Sequence, residues 1–184
     1  MGQLASRDEL RMSFVRWALV TVPAILFLGF LMGRISSSGL DSRWFDALVK
    51  PDWFPAVWIF PAVWAALYIL LGVAIAMILH ARGARGRGVA IALFVSLLIL
   101  NFACPPTFFA AHQVTLTLWL MVLALLLAIA TAFAFASIRK AAAWLMAPYL
   151  VWFGFATLLA WEVNRLNPDA ETLTPEARRT HIEL

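Results

Sequence analysis

The sequence predicts an all-α integral membrane protein built as a bundle of five transmembrane helices. Its mean hydropathy is +0.88, and 64% of its residues are hydrophobic while 13% are charged, which lies outside the range of soluble domains. The apolar residues fall into five long segments, each near or above the roughly 20 residues that cross the hydrocarbon core. Backbone groups in lipid must be hydrogen-bonded internally, so these segments form helices.

The segments define one domain, residues 14–167, between a polar N-terminal segment, 1–13, and a polar tail, 168–184. Pro168 and Pro175 end any helix in the tail, because proline cannot continue one. The first connection between segments is long, and the other three are short. The predicted helices cover about residues 14–33, 56–79, 89–111, 114–138 and 141–163.

Basic residues are unevenly distributed and predict an orientation. The N-terminus and the second and fourth connections hold eight of the 14 Lys and Arg residues, whereas the opposite side holds six, together with eight carboxylates. The positive-inside rule then places the N-terminus in the cytoplasm, and a bacterial cell membrane is the expected location. These basic residues lie next to lipid headgroups, so the pI near 10 does not indicate nucleic-acid binding.

Several kinds of chemistry find no support in the sequence. A single cysteine, Cys104, excludes a disulfide within the chain and a cysteine-based metal cluster. The sequence contains no Ser-His-Asp candidate set, phosphate-binding loop or H-E-x-x-H motif. We therefore expect no conventional enzyme, no metal site and no obligatory cofactor.

Residues 44–68, which lead from the first connection into the second segment, contain four of the nine tryptophans and three of the nine prolines. Tryptophan favours the boundary between water and hydrocarbon, because its ring is apolar and its indole N–H needs a partner. Four tryptophans interleaved with prolines predict an aromatic-walled pocket at this boundary.

Helical spacing places candidate pocket residues on two faces. The second segment has Pro61, Trp64, Tyr68 and Gly72 on one face, and the fifth has Tyr149, Trp152, Ala156 and Ala160. If the faces oppose each other, they leave a slot for a planar ligand, with rings as walls and room above the alanines. Alternatively, the same residues simply pack helix against helix.

Asn101 is a polar residue in the otherwise apolar third segment, close to Pro105 and Pro106. The prolines cannot donate to the carbonyls of Asn101 and Phe102, so a kink is expected. The Asn101 amide then either ties neighbouring helices together or binds a ligand group.

Several short motifs, in order along the chain, resemble the TspO/MBR family of tryptophan-rich sensory and translocator proteins. They are W-F-D-A-L at 44–48, K-P-x-W-x-P at 50–55, F-P-x-x-W-x-x-L-Y at 60–68, L-N at 100–101, P-x-F-F at 106–109, P-Y-L-x-W at 148–152 and R-L-N at 165–167. The resemblance implies a homodimer of five-helix bundles whose ligand cavity opens toward the first long loop. It also implies tetrapyrrole ligands, protoporphyrin IX or haem, and light-dependent porphyrin degradation by two tryptophans that match Trp64 and Trp152.

Together, the resemblance and the aromatic pattern give a set of candidate ligand-binding residues. They are Trp44, Pro51, Trp53, Phe60, Trp64, Tyr68, Asn101, Trp152, Ala156, Ala160 and Trp161. Arg43, Lys50 and Arg165 lie on the same side of the membrane and are candidate partners of porphyrin propionates. Cys104 and His112 are weak candidates for a haem ligand, and the alternative for Cys104 is a buried apolar role.

The chain departs from the family pattern at four positions: Ala56 replaces a proline, Cys104 a tryptophan, Ala160 an asparagine and Trp161 a frequent tyrosine. The last change removes the tyrosine of the cholesterol-associated pattern, so cholesterol is not an expected partner, whereas membrane lipid is. Two other functions stay open. One is a transporter or exporter subunit for hydrophobic molecules or lipids, and the other is a structural membrane subunit.

Overall fold

A computed structural model of the chain describes residues 7–36 and 42–173. Its α-helices are α1 (Arg7–Ile35), α2 (Arg43–Ala47), α3 (Ile59–His80), α4 (Arg87–Pro105), α5 (Val114–Ile138) and α6 (Lys140–Leu166). A π-helical turn, Pro106–Ala110, continues α4, and a 3-10 turn, Ala170–Thr172, follows α6. Five of these helices, all except α2, are long and apolar enough to cross a membrane. The predicted all-α architecture with five spans is therefore confirmed.

Two helices, α1 and α3, begin three or more residues away from their predicted starts. Helix α1 begins at Arg7, although its apolar span begins only at Met12; the extra turn is polar and can be hydrated outside the hydrocarbon. Helix α3 begins at Ile59, after a turn in which the Ile59 N–H donates to the Ala56 carbonyl at 2.9 Å. Pro61 is tolerated in the first turn, where its missing N–H has no helical partner. Residues 1–6 and 174–184 of the predicted polar ends lie outside the described residues.

The five long helices form a ring. Helix α1 packs against α3, which packs against α6; α6 packs against α5, and α5 against α4. Helix α4 closes the ring by contacting α1 and α3. The π-helical turn and both ends of the long α1–α3 loop lie at the same end of the bundle. We call the half of the bundle at this end the loop half.

Helices α1 and α3 approach each other closely at Gly72. A Cβ atom on Gly72 would lie 2.7 Å from the Val22 Cα atom, so only glycine permits this separation. The Thr21 hydroxyl donates to the Gly72 carbonyl at 2.7 Å. Small residues and hydroxyl–carbonyl bonds are common means of joining helices in membranes.

The half of the bundle opposite the loop half is tightly packed. Leu71, Ile78, Phe94, Phe135 and Met146 are buried there, and the rings of Phe94 and Phe135 stack with centroids 5.7 Å apart. A large interhelical space lies in the loop half, which is therefore the candidate location of a site for a sizeable ligand.

Candidate functional site

The loop half contains a cavity of about 1170 Å³. All five long helices contribute to its wall, together with the loop that precedes α3. Small residues of three helices, Gly33, Ala65, Ala156 and Ala160, lie along it and leave the space that larger side chains would fill. Ring side chains form much of the remaining wall: Phe27, Phe30, Phe45, Phe54, Trp58, Phe60, Trp64, Tyr68, Phe108, Phe109 and Phe153.

Trp64 belongs to an aromatic cluster that joins α3 to α6. Its ring is tilted by 33° from that of Tyr68, with centroids 5.4 Å apart. It meets Phe153 edge-on at 6.1 Å and Tyr149 edge-on at 6.2 Å. Edge-on and offset contacts of this kind stabilise aromatic clusters by about 0.5–1.5 kcal/mol per pair beyond the area they bury. The indole of Trp64 is thus held by neighbouring rings while part of it faces the cavity.

Gly29 of α1 determines where the Tyr68 ring lies. A Cβ atom on Gly29 would fall 2.2 Å from Cε2 of Tyr68, well inside van der Waals contact. The tyrosine ring therefore occupies the space that a side chain at position 29 would need. In this position the ring is 9% exposed and lines the cavity.

Asn101 joins three helices below the cavity. The Tyr68 hydroxyl of α3 donates to Asn101 Oδ1 at 3.2 Å, and Asn101 Nδ2 donates to the Tyr149 hydroxyl of α6 at 3.1 Å. The amide therefore forms an interhelical tie, one of the two alternatives that the sequence left open. It also lines the cavity, so a ligand in the cavity would lie beside this hydrogen-bonded group.

The two prolines of α4 produce a change of helix type. From Pro106 the chain continues as a π-helix, and the Ala111 N–H donates to the Pro106 carbonyl at 3.0 Å. The expected irregularity is thus a wide turn, which places the rings of Phe108 and Phe109 at the cavity wall. Cys104 lines the cavity as well, and its thiol contacts the Leu100 carbonyl at 3.2 Å.

The loop before α3 is attached to the end of α6. The Asn167 amide pairs with the backbone of Val49, accepting from its N–H at 2.8 Å and donating to its carbonyl at 2.9 Å. The Trp44 indole N–H donates to the Ala170 carbonyl at 2.9 Å, and its ring stacks on His112 at 4.3 Å. The loop is therefore a packed cover over the bundle.

Charged groups near the loop are mostly engaged with protein atoms. The Lys50 ammonium donates to the Phe45 carbonyl at 2.6 Å and lies 4.4 Å from the centre of the Phe45 ring. Glu162 and Arg165 form the ion pair that their spacing in the sequence predicts. Lys50, Arg165 and Arg43 do not line the cavity. Arg34 does, in the last turn of α1.

The structure brings seven of the predicted residues to the cavity wall: Phe60, Trp64, Tyr68, Asn101, Cys104, Ala156 and Ala160. It places the other six away from that wall: Trp44, Pro51, Trp53, His112, Trp152 and Trp161. Trp44 and Pro51 are buried in the loop cover, whereas Trp53 and Trp161 are exposed. No three His, Cys, Asp or Glu side chains of the described residues meet in a group that could hold a metal ion.

Trp152 does not face Trp64 across the cavity. Its ring lies in a groove between α3 and α6 and contacts Phe60 at 5.7 Å and Phe155 at 5.4 Å. Successive residues of an α-helix point about 100° apart, and it is the next residue, Phe153, that points to the cavity. Trp152 therefore reaches the cavity wall through its contact with Phe60.

Helix α1 contributes to the cavity wall, and the sequence pattern did not predict this contribution. Leu26, Phe27, Gly29, Phe30 and Gly33 line the cavity, and their spacing repeats every three to four residues, which is the period of one helical face. That spacing is the signal that could have revealed them. It was hidden because nearly every residue of this segment is apolar.

Comparison with known proteins identifies the family. The model of the TspO/MBR family matches residues 19–166. The chain is 36% identical to the tryptophan-rich protein TspO of Chlorobaculum tepidum, over 69% of this chain and 81% of that protein. It is 34% identical both to the translocator protein of Bos taurus and to the tryptophan-rich sensory protein of Cereibacter sphaeroides, in each case over 83% of this chain and 96% of the relative. The chain belongs to the TspO/MBR family.

Proposed function

We propose that this membrane protein is a sensor or carrier that binds a tetrapyrrole, protoporphyrin IX or haem, in the cavity of the loop half. The observation that supports this most directly is the size and lining of the cavity. Its volume of about 1170 Å³ exceeds the roughly 300–1,000 Å³ typical of small-molecule sites. A large, flat, mostly apolar ligand matches such a volume.

The arrangement of the walls favours a flat ligand. Trp64 and Phe153 present rings on two different helices, while Ala156 and Ala160 leave space along α6. A planar macrocycle gains from contact with rings on several sides, because each offset or edge-on contact adds to the burial of apolar surface. Free-base porphyrin and haem have the same apolar macrocycle and could make the same contacts here, so the proposal does not depend on a bond to iron.

A binding titration with matched variants tests this proposal. Protoporphyrin IX added to the purified protein in lipid nanodiscs should quench tryptophan fluorescence to saturation. Ala156→Phe fills the cavity and should weaken binding at least tenfold. Leu158→Phe, on the lipid-exposed side of the same helix, should bind as the parent does. If the parent and Ala156→Phe are both folded and bind protoporphyrin IX with equal affinity, the cavity is not the binding site.

A separate part of the proposal is light-dependent oxidation of the bound porphyrin by dissolved dioxygen, in which the porphyrin is the photosensitiser and an oxidisable indole takes part. Trp64 lines the cavity, whereas Trp152 touches it only through Phe60. Under illumination, Trp64→Phe should slow the loss of porphyrin absorbance more than Trp152→Phe does. A double variant that degrades porphyrin as fast as the parent would exclude both tryptophans from the reaction.

Carriage of a hydrophobic compound across the membrane is the second candidate function, and the name translocator protein of several relatives favours it. Proteoliposomes loaded with porphyrin-binding albumin measure it directly. Faster entry of porphyrin than into protein-free liposomes, abolished by Ala156→Phe, supports carriage. Equal rates of porphyrin entry into liposomes with and without the protein would mean that the protein does not transport porphyrin.

A further inference from the structure

The cavity wall is almost entirely apolar, and its few polar side chains are already hydrogen-bonded within the protein. Asn101 and Tyr68 bond to each other, the Ser36 hydroxyl donates to the Met32 carbonyl, and the Thr117 hydroxyl donates to the Gln113 carbonyl. Among the described residues that line the cavity, Arg34 alone is charged. A ligand with an apolar body and an anionic group could contact both this cation and the apolar wall.

Arg34 lies at one end of the cavity. It occupies the last turn of α1, two turns beyond Leu26, which also lines the cavity; at 1.5 Å per residue the two are about 12 Å apart along the helix. Its guanidinium lies 5.9 Å from the centre of the Phe30 ring, a distance typical of cation–π contacts. The apolar wall near Leu26 and the cation of Arg34 are thus separated along the axis of α1.

The chemistry of the guanidinium defines its partner. Its planar array of N–H donors matches the two oxygens of a carboxylate, and it is less strongly hydrated than an ammonium group. In the described part of the chain no carboxylate lies within ion-pair distance of Arg34, whereas Arg165 is paired with Glu162. Arg34 is exposed, so its guanidinium is accessible to a ligand, and the bidentate geometry of the pair rather than burial would stabilise the contact.

We infer that Arg34 is a specificity-determining residue that selects ligands with an apolar body and a carboxylate at one end. The carboxylate lies at the end of the cavity where Arg34 is, and the apolar body lies deeper, against the rings of Trp64 and Phe153. This inference rests on the proposed tetrapyrrole function and specifies which form of the ligand binds, namely the free acid rather than its ester.

Protoporphyrin IX and its dimethyl ester, which lacks ionised carboxylates, test this inference. Both are titrated in nanodiscs of zwitterionic lipid against the parent, Arg34→Gln, Arg34→Lys and Arg165→Gln. Arg34→Gln should weaken binding of the diacid about tenfold, the effect of losing one charge-assisted hydrogen bond, and leave binding of the diester unchanged. Arg34→Lys should fall between the parent and Arg34→Gln, and Arg165→Gln should match the parent.

Dividing each variant's affinity by the parent's for the same compound removes differences in lipid partitioning. Equal weakening of diacid and diester by Arg34→Gln would overturn the inference, because it would mean that Arg34 acts through packing. No weakening of either would overturn it as well. With either of these outcomes, the proposed function still holds as long as the parent protein binds protoporphyrin IX. If the parent binds neither the diacid nor the diester, both the proposed function and the role of Arg34 are wrong.

Discussion

The Tyr68 hydroxyl donates to Asn101 Oδ1 at 3.2 Å, and this bond links α3 to α4 directly below the cavity. The amide of Asn101 in turn donates to Tyr149 on α6. One side chain thus fixes the separation of three helices at the depth where the packed half of the bundle meets the cavity. The floor of the site depends on a polar network and not on apolar packing alone.

Replacing Asn101 should therefore destabilise the fold. Asn101→Leu leaves the hydroxyls of Tyr68 and Tyr149 buried without their partner, and we expect it to lower the free energy of unfolding by about 1–3 kcal/mol. Interhelical bonds in membranes are often weaker, about 0.6 kcal/mol on average, so the lower part of this range is expected. Equilibrium unfolding in mixed micelles measures it. Adding Tyr68→Phe and Tyr149→Phe should restore part of the loss, and no recovery would contradict the network.

Two glycines of membrane-spanning helices should respond oppositely to alanine. Gly72→Ala places a Cβ atom 2.7 Å from the Val22 backbone and should destabilise the bundle by about 1–3 kcal/mol through overpacking. Gly154→Ala meets nothing within 4 Å and should stabilise α6 by up to about 1 kcal/mol through helix propensity. Thermal unfolding in detergent compares them, and equal shifts would mean that α1 and α3 are not held at this separation.

A second glycine pair tests the shape of the cavity. Gly29→Ala displaces the Tyr68 ring, because its Cβ atom would overlap Cε2, and we expect porphyrin affinity to fall at least tenfold. Gly33→Ala, one turn further along the same helix, meets no atom within 4 Å and should change the affinity less than threefold. If both variants bind as the parent does, the position of Tyr68 is not important for the ligand.

Asn167 should control the order of the loop cover. Asn167→Ala removes both hydrogen bonds to Val49, so residues 42–58 should exchange backbone hydrogen faster while the buried parts of α3 and α6 stay protected. Asn164→Ala, which loses only an exposed contact to Thr115 at 3.3 Å, is the matched control. Unchanged exchange in this segment of Asn167→Ala would mean that other contacts hold the loop.

The predicted orientation can be measured by thiol labelling. Cys104 is the single cysteine, so Cys104→Ala provides a background without thiols. Gln113→Cys, on the loop side, should react with a membrane-impermeant maleimide in intact bacterial cells from which the outer membrane has been stripped. Gly86→Cys, in the basic connection, should react only after lysis. The reverse pattern would place the N-terminus outside.

How far the sequence predicts this molecule depends on the scale of the feature. The spans follow from long apolar runs, so five helices and their order could be predicted from hydropathy and length. The side of each helix that faces the cavity could not be predicted equally well. In an almost wholly apolar helix, periodicity hardly distinguishes Trp152 from Phe153. The contribution of α1 was not predicted for the same reason. The tetrapyrrole ligand, the homodimer and the orientation stay predictions.

The local partners of charged side chains are a second feature that the sequence predicts incompletely. The spacing of Glu162 and Arg165 predicts their ion pair, but the sequence does not reveal that the Lys50 ammonium folds back onto the Phe45 carbonyl. Such local partners are decided by loop conformation and rotamers. The sequence does not indicate that Arg34 lines the cavity, because the residue is an isolated cation at the end of an apolar run.

The uneven packing of the bundle has a mechanical consequence. One half is dense and the other contains a partly open cavity of about 1170 Å³, so we expect the two halves to differ in compressibility. Changes in lateral membrane tension or pressure should accordingly deform the loop half and leave the dense half nearly rigid. If the proposed ligand fills this cavity, we expect it to reduce the difference in compressibility between the two halves.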